Sequence, residues 1–289
     1  MGCNFPVPTY RKDGSPSYRP CGNCIGCRLE YSRQWAVRCY HEAFIFKENC
    51  FITLTYNEEN LPKDGSLKKK ELSNYIKRLR RKIEPKQIRF FGCGEYGTKG
   101  TNRPHYHLCL FGYDFPDKEI IRSRSFNMRN GKTRGGKTHN LYSSKMLQTS
   151  WKKGFTTLGD LTFESAAYVA RYVTKKITGP LEADHYKGKQ PEFALMSRMP
   201  GIGKYFFEKY MSDIYPKGFI TVKGVKQKAP SYYDNLYKKL YPERFEELKK
   251  QRIKFQEGQE KITGNLRGYH LEKYRKQVTK TLERKLENG

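Results

Sequence analysis

The run Pro104-His105-Tyr106-His107-Leu108-Cys109-Leu110 sets two of the chain's six histidines two positions apart in a largely apolar segment. On a β-strand, side chains two apart point to one face. His105 and His107 can therefore hold one metal ion over a rigid backbone; the alternative is a pair of ordinary strand histidines. Glu95 ends the preceding predicted strand, Gln87 to Tyr96, and the turn GTKGTNR folds that strand back onto the histidine strand. Its carboxylate could complete the ligand set; otherwise it is an exposed turn residue. Two imidazoles and a carboxylate, with positions left for water and phosphate, suit Mg²⁺ or Mn²⁺ acting as a Lewis acid.

A second candidate group is Tyr168 and Tyr172. Four apart on a helix, they lie one above the other. A tyrosine hydroxyl, with pKa ~10, is a poor nucleophile until positive charge lowers the cost of ionising it. Arg171, Lys175 and Lys176 supply such charge on or beside the same segment. Taken alone, the pair reads as an aromatic stripe packing on a sheet; with the histidines it reads as a candidate pair of nucleophiles. A third group is Cys21, Cys24 and Cys27, a C-x₂-C-x₂-C run that Cys3 completes to four thiolates. Four thiolates suit a closed tetrahedral Zn²⁺ site that staples an irregular region. Cys39 or His41 could replace Cys3, and unliganded thiols are the plain alternative. An iron–sulfur centre would want a nearby fourth Cys before Pro, which is missing. Cys50, Cys93 and Cys109 fall in or beside predicted strands and read as core.

The elements that must position these groups follow from patterning. A helix is expected from Arg28 to Phe46, a strand over Phe51 to Tyr56 (FITLTY) and a basic-faced helix over Leu67 to Ile83. Two strands then flank the GTKGTNR turn. Asp117 to Asn140 reads as a polar mobile loop, Tyr142 to Trp151 as a short helix and Gly154 to Leu158 as a strand. Phe163 to Ile177 reads as a helix capped by Thr162, with Gly179-Pro180 beyond its end. The order strand, helix, strand, strand, helix, strand predicts an α+β fold, an antiparallel sheet with packed helices of ferredoxin-like type. Three segments are expected: 1–47, Cys-rich with a helix; 48–180, the core; and 181–289, an extension that ends charged and helix-prone.

Lys plus Arg number 57 against 29 Asp plus Glu, a formal net charge of +28. Such a field attracts polyanions. Between Ile120 and His139 stand six basic residues, Arg122, Arg124, Arg129, Lys132, Arg134 and Lys137, and no acid. With 22 Tyr and 17 Phe available for stacking, the balance leans towards single-stranded nucleic acid. Gly131 to Thr138 matches GxxxxGK[ST], but no apolar strand precedes it and no helix follows, so a basic loop touching DNA explains it better than ATP binding. No apolar run approaches the ~20 residues of a membrane span, and the first residues lack a signal peptide's apolar stretch. The expectation is a soluble, cytoplasmic protein with reduced cysteines.

FITLTY, then PHYHLCLFG preceded by GEYG, then YVARYVTKK occur in that order. Together they resemble the three motifs of HUH endonucleases of the rolling-circle initiator type, in which the tyrosine follows the histidines; relaxases place it before. The two tyrosines separated by three residues resemble the gene A-type initiators of small single-stranded DNA phages. PCGNCIGCR, SRQWAVRCYHEA, LYSSKMLQTSWKKGF, MPGIGKYFFEKY and KAPSYYDNLY extend the resemblance to microvirus initiators of the gokushovirus group, over roughly residues 1–240. Arg171 departs from the family motif, which usually has Lys there; Arg keeps the charge but does not readily shuttle a proton.

The resemblance implies a transesterification. A tyrosine attacks a metal-polarised phosphate in the origin of single-stranded or supercoiled circular DNA, stays linked to the 5′ end, and frees a 3′ hydroxyl that primes synthesis. The second tyrosine attacks after one circuit and releases a closed circle. A host helicase and polymerase in the bacterial cytoplasm would do the rest. The rivals are an HUH transposase, normally with one tyrosine, and a zinc-containing nucleic-acid-binding protein without catalysis.

Overall fold

In the computed structural model, the described residues are 2–10, 14–97, 102–125, 138–175, 182–215, 217–263, 273–274 and 276–277; of these, side chains are undescribed at 122–125, 138–139, 172–175 and 255–263. In chain order the elements are β1 (Val7–Tyr10), β2 (Pro16–Arg19), α1 (Ile25–Ile45), β3 (Asn49–Thr55), α2 (Lys69–Lys82), β4 (Arg89–Tyr96), β5 (Pro104–Phe111), β6 (Glu119–Ser125) and β7 (Thr138–Ser143). There follow α3 (Lys145–Trp151), β8 (Thr156–Asp160), α4 (Phe163–Lys175), α5 (Glu182–Tyr186), β9 (Phe193–Met196), α6 (Lys204–Ile214), β10 (Phe219–Val222), β11 (Val225–Lys228), α7 (Ser231–Leu240) and α8 (Pro242–Thr263). The chain divides into two compact units, one of residues 35–209 and one that joins 1–34 to 210–289.

The unit of residues 35–209 is built on a seven-stranded sheet of order β6-β7-β8-β3-β5-β4-β9, antiparallel at every pairing. The expected α+β class with an antiparallel sheet and packed helices is therefore what the chain forms. Helices cover both faces. On one, Leu72, Tyr75, Ile76 and Leu79 of α2 and Leu147 and Trp151 of α3 pack with Ile52, Leu54, Tyr106 and Leu108. Trp151 is buried, and its indole N–H donates to Thr55 O at 2.8 Å. On the other face, Ala166, Val169 and Ala170 of α4 and Trp35, Ala36 and Cys39 of α1 pack with Phe91, Cys93, Cys109 and Phe111. That alternation places Cys93 and Cys109 in the core, as expected, and Cys50 in the opposite cluster.

α4 starts where Thr162 predicts. Thr162 Oγ1 accepts from Ser165 N–H at 3.1 Å while Ser165 Oγ accepts from Thr162 N–H at 2.8 Å, a reciprocal cap that satisfies two orphan donors.

Three expectations are corrected. The expected loop Asp117 to Asn140 contains β6 and the start of β7, which pair from Glu119↔Ser143 to Ser125↔Thr138. Pairing of β7 with β8 makes the two an extension of the sheet, a bond that polar composition hides. The helix expected from Tyr142 begins only at Lys145, because Ser144 caps it by accepting from Leu147 N–H at 3.0 Å, and Tyr142 belongs to β7. The first 30 residues are not wholly irregular: β1 and β2 form a hairpin, where prolines are tolerated because both strands are edges.

In the other unit, Arg33 ties the N-terminal segment to the C-terminal one. Its guanidinium pairs with Glu30 at 2.6 Å and donates to Gln227 Oε1 at 3.2 Å and Lys228 O at 3.0 Å. Further along, Asp234 accepts from Arg252 at 2.8 and 3.0 Å and from Tyr215 Oη at 2.7 Å, which fixes α7 on α8. Among the described residues, no helix is long and apolar enough to cross a membrane.

Candidate functional site

The pairing of β4 with β5 sets Glu95 directly opposite His105 and Cys93 opposite His107. Glu95, His105 and His107 thus meet on the sheet face that α4 covers. Glu95 Oε1 lies 2.7 Å from His105 Nε2 and 2.8 Å from His107 Nε2. Glu95 is 2% exposed and His107 6%, while His105 sits nearer solvent. Burial raises the Glu95 carboxyl's pKa, but the hydrogen bonds and charge of the two histidines outweigh it and leave the group below its usual value.

The other ring nitrogens are fixed by the strands. His105 Nδ1 lies 3.0 Å from Arg103 O. A carbonyl only accepts, so Nδ1 carries a proton, and Nε2 is the nitrogen that faces Glu95. His107 Nδ1 lies 3.0 Å from Thr53 Oγ1 on β3, so its Nε2 is likewise aimed at Glu95. Such partners of the second ring nitrogen orient histidine ligands. One ligand atom from each of the three residues lies within 4.8 Å of the others. By donor chemistry and convergence the group fits one divalent cation.

α4 brings Tyr168 to this cluster. Its ring stands edge-on to His107 with centroids 5.3 Å apart, and edge-on to Phe51 at 6.3 Å. Phe51 in turn stacks on His107 at 5.6 Å. Arg171 is half-buried one helical turn further on. Tyr172 and Lys175 belong to α4 by backbone, and their side chains lie outside the described residues. Sequence reasoning missed Thr53 and Phe51. Both sit in FITLTY, whose alternation signals a strand and nothing more specific.

Cys3, Cys21, Cys24 and Cys27 also converge, with one sulfur from each within 4.8 Å of the others. Cys3 and Cys24 Sγ are 3.8 Å apart and Cys21 and Cys27 Sγ 4.0 Å. A tetrahedron with metal–sulfur bonds of ~2.3 Å has edges of roughly 3.8 Å. Backbone N–H groups of Asn4, Cys21 and Cys24 point at Cys24, Cys3 and Cys21 Sγ at 3.3, 3.2 and 3.4 Å. Burial raises the Cys24 thiol's pKa, but N–H donation from Asn4 and Cys27 outweighs it and lowers the pKa to about 6. Cys39, the alternative ligand, is buried in the core instead.

Of the basic residues expected to touch DNA, Arg122 and Arg124 fall on β6, their side chains undescribed; Arg129, Lys132, Arg134 and Lys137 lie outside the described residues, as does most of the phosphate-loop-like run.

The family model described as "Replication-associated protein ORF2/G2P" matches residues 49–177. The chain is 32% identical over 238 residues to replication-associated protein VP4 of Bdellovibrio phage phiMH2K, which covers 79% of this chain and 70% of that protein. It is 35% identical over 240 residues to replication-associated protein ORF2 of Spiroplasma virus 4, covering 78% and 69%. It is 32% identical over 228 residues to replication-associated protein ORF4 of Chlamydia phage 1, covering 78% of this chain and 54% of that one. No solved structure matches.

Proposed function

Since the chain belongs to the family of microvirus replication-associated proteins, with a role in phage replication, we propose that it is a metal-dependent DNA nickase and strand transferase that starts rolling-circle replication. The observation that carries this reading is the convergence of both Nε2 atoms on Glu95 Oε1, with the Tyr168 ring 5.3 Å from His107. The strand order β8-β3-β5-β4 within the sheet is that of a ferredoxin-like βαββαβ unit. It supports an HUH endonuclease core at 48–180, as does the family match over 49–177.

Glu95, His105 and His107 would hold a Mg²⁺ or Mn²⁺ ion, which when bound would supply Lewis-acid polarisation of the scissile phosphate. The Tyr168 phenol oxygen attacks phosphorus as the bond to the 3′ oxygen breaks. The phenol proton leaves to solvent, and the departing 3′ oxygen takes one up. The product is a 5′-phosphotyrosine and a free 3′ hydroxyl, so phosphodiester energy is kept and religation needs no ATP. Tyr172, one turn along α4, is the second nucleophile. Arg171 and Lys175 offset the negative charge that gathers on the phenolate and phosphate. Arg122, Arg124, Arg129, Lys132, Arg134 and Lys137 grip the DNA backbone. In this reading, strand separation and synthesis fall to a host helicase and polymerase.

Cleavage of origin-containing supercoiled DNA tests this reading. Wild-type protein should nick it with Mn²⁺ and not with a chelator. Glu95→Ala should need at least ~10–100-fold more metal, the loss typical even of partners outside the ligand set, with partial rescue at high Mn²⁺. Wild-type metal dependence in Glu95→Ala would mean that another group completes the site.

Cys3, Cys21, Cys24 and Cys27 form a structural Zn²⁺ site in this reading, because four thiolates leave no open position for substrate. One Zn²⁺ per chain should copurify, and chelation should lower the melting temperature by about 10 °C, several kcal/mol at roughly 2–4 °C each. Metal analysis that finds no zinc in protein purified without chelators would remove this site from the account.

A further inference from the structure

At the start of β8 the fold displays a large ring where it adds little to the core. Phe155 is 68% exposed, yet its backbone is tied down on several sides. Thr55 donates its N–H at 2.9 Å and its hydroxyl at 3.2 Å to Phe155 O. Gln148 Nε2 donates to Gly154 O at 2.6 Å, and Asn57 N–H to Lys153 O at 3.0 Å. Gly154 adopts φ +150°, and a Cβ there would lie 2.3 Å from Asn57 N and 2.4 Å from Thr55 O. Only glycine lets the backbone press so closely onto the end of β3. A rigid segment that holds an aromatic ring in water gains nothing for folding from that ring.

The register says what the ring is aligned with. Leu54 pairs with Thr156, so the bond from Thr55 N–H to Phe155 O sets Phe155 opposite Thr55. Thr55 pairs with His105, and His105 with Glu95. Phe155, Thr55, His105 and Glu95 therefore form one cross-strand row, with side chains on one face. The next row is Thr157, Thr53, His107 and Cys93. Two strand spacings, about 10 Å, separate Phe155 from His105, and the half-buried Thr53, Thr55 and Thr157 floor the gap.

We propose that Phe155 is a stacking platform for an unpaired base of the DNA strand whose phosphate would meet the cation site of Glu95, His105 and His107, and that it thereby sets which phosphate enters the site. This rests on the nickase reading above. The occupant follows from chemistry. The net charge of +28 favours a polyanion, and a flat ring bordered by hydroxyls suits a base with a polar edge. An apolar protein surface would want a contiguous apolar patch, and the positions beside Phe155 on this face are Thr55 and Thr157. Any base can stack, so the platform fixes position without reading sequence.

The test uses the full chain and four versions of it: wild type, Phe155→Ala, Phe155→Leu and Phe155→Trp. Binding of a fluorescent 20-nucleotide oligodeoxythymidine is measured by anisotropy at fixed salt, beside Mn²⁺-dependent nicking, melting temperature and sedimentation. Phe155→Ala should weaken oligonucleotide binding about 5- to 150-fold, the range for one stacked base, with melting temperature and Mn²⁺ dependence unchanged. Phe155→Trp should bind like wild type and Phe155→Leu like Phe155→Ala. Wild-type affinity in Phe155→Ala, or full affinity in Phe155→Leu, overturns the platform. So does a change in oligomeric state in Phe155→Ala, which would seat the ring against a second copy. If wild type nicks while Phe155→Ala binds as tightly as wild type, only this inference fails. If wild type neither nicks nor binds the oligonucleotide, the nickase reading fails with it.

Discussion

Replacing both His105 and His107 with alanine should abolish nicking of origin DNA while most of the DNA binding survives. The two rings supply two of the three donor groups that meet within 4.8 Å, and Glu95 alone cannot hold a catalytic cation. Loss of Lewis-acid stabilisation worth several kcal/mol corresponds to at least about 10³-fold in rate, at 1.36 kcal/mol per decade. Binding is spread over a surface of net charge +28, so it should depend on salt far more than on two histidines. Both rings lie in or near a packed face, so circular dichroism must show the variant folded. A folded double variant that nicks at the wild-type rate would end the metal assignment.

The second large effect concerns Tyr168 and Tyr172. Their helical spacing puts them about 6 Å apart along the axis, close enough for both to reach one phosphate after a small shift of helix or DNA. Each single Phe variant should still nick and form one covalent adduct; the double variant should form none, because Phe keeps the ring and removes only the nucleophile. Strand transfer should fail in both single variants, since a second hydroxyl must attack while the first holds the 5′ end. Tyr168 should be the initiating residue, given its place beside His107. Complete strand transfer by a Tyr172→Phe monomer would return Tyr172 to the role of a packed ring.

How much of this was legible in the sequence depended on whether residue type or long-range pairing carries the information. His105, His107 and Glu95 could be assembled from spacing because strand alternation and one hairpin bring them together, with no distant contact required. The four cysteines were legible for the same reason, being mostly local. Thr53 was hidden: it orients His107 from β3, and the β3–β5 pairing spans 54 residues between them. β6 and β7 read as loop because IIRSRS has no apolar alternation; pairing with each other, and of β7 with β8, makes them strands. β9 was illegible as an edge strand that joins β4 about a hundred residues later. So was the buried ion pair of Glu42 with Arg89, which also binds Gly203 N–H and Pro200 O; two charged residues 47 positions apart carry no local signal of pairing.

The most direct measurement is to trap the covalent product. Protein incubated with a labelled origin oligonucleotide and Mn²⁺ is denatured and digested with protease and nuclease, and the nucleotide-bearing peptide is sequenced by mass spectrometry. The account predicts a 5′-phosphotyrosine at Tyr168, with Tyr172 modified when Tyr168 is Phe, and none when Mn²⁺ is chelated. Cleavage that leaves no nucleotide on any peptide, or places it on a residue outside α4, would contradict it.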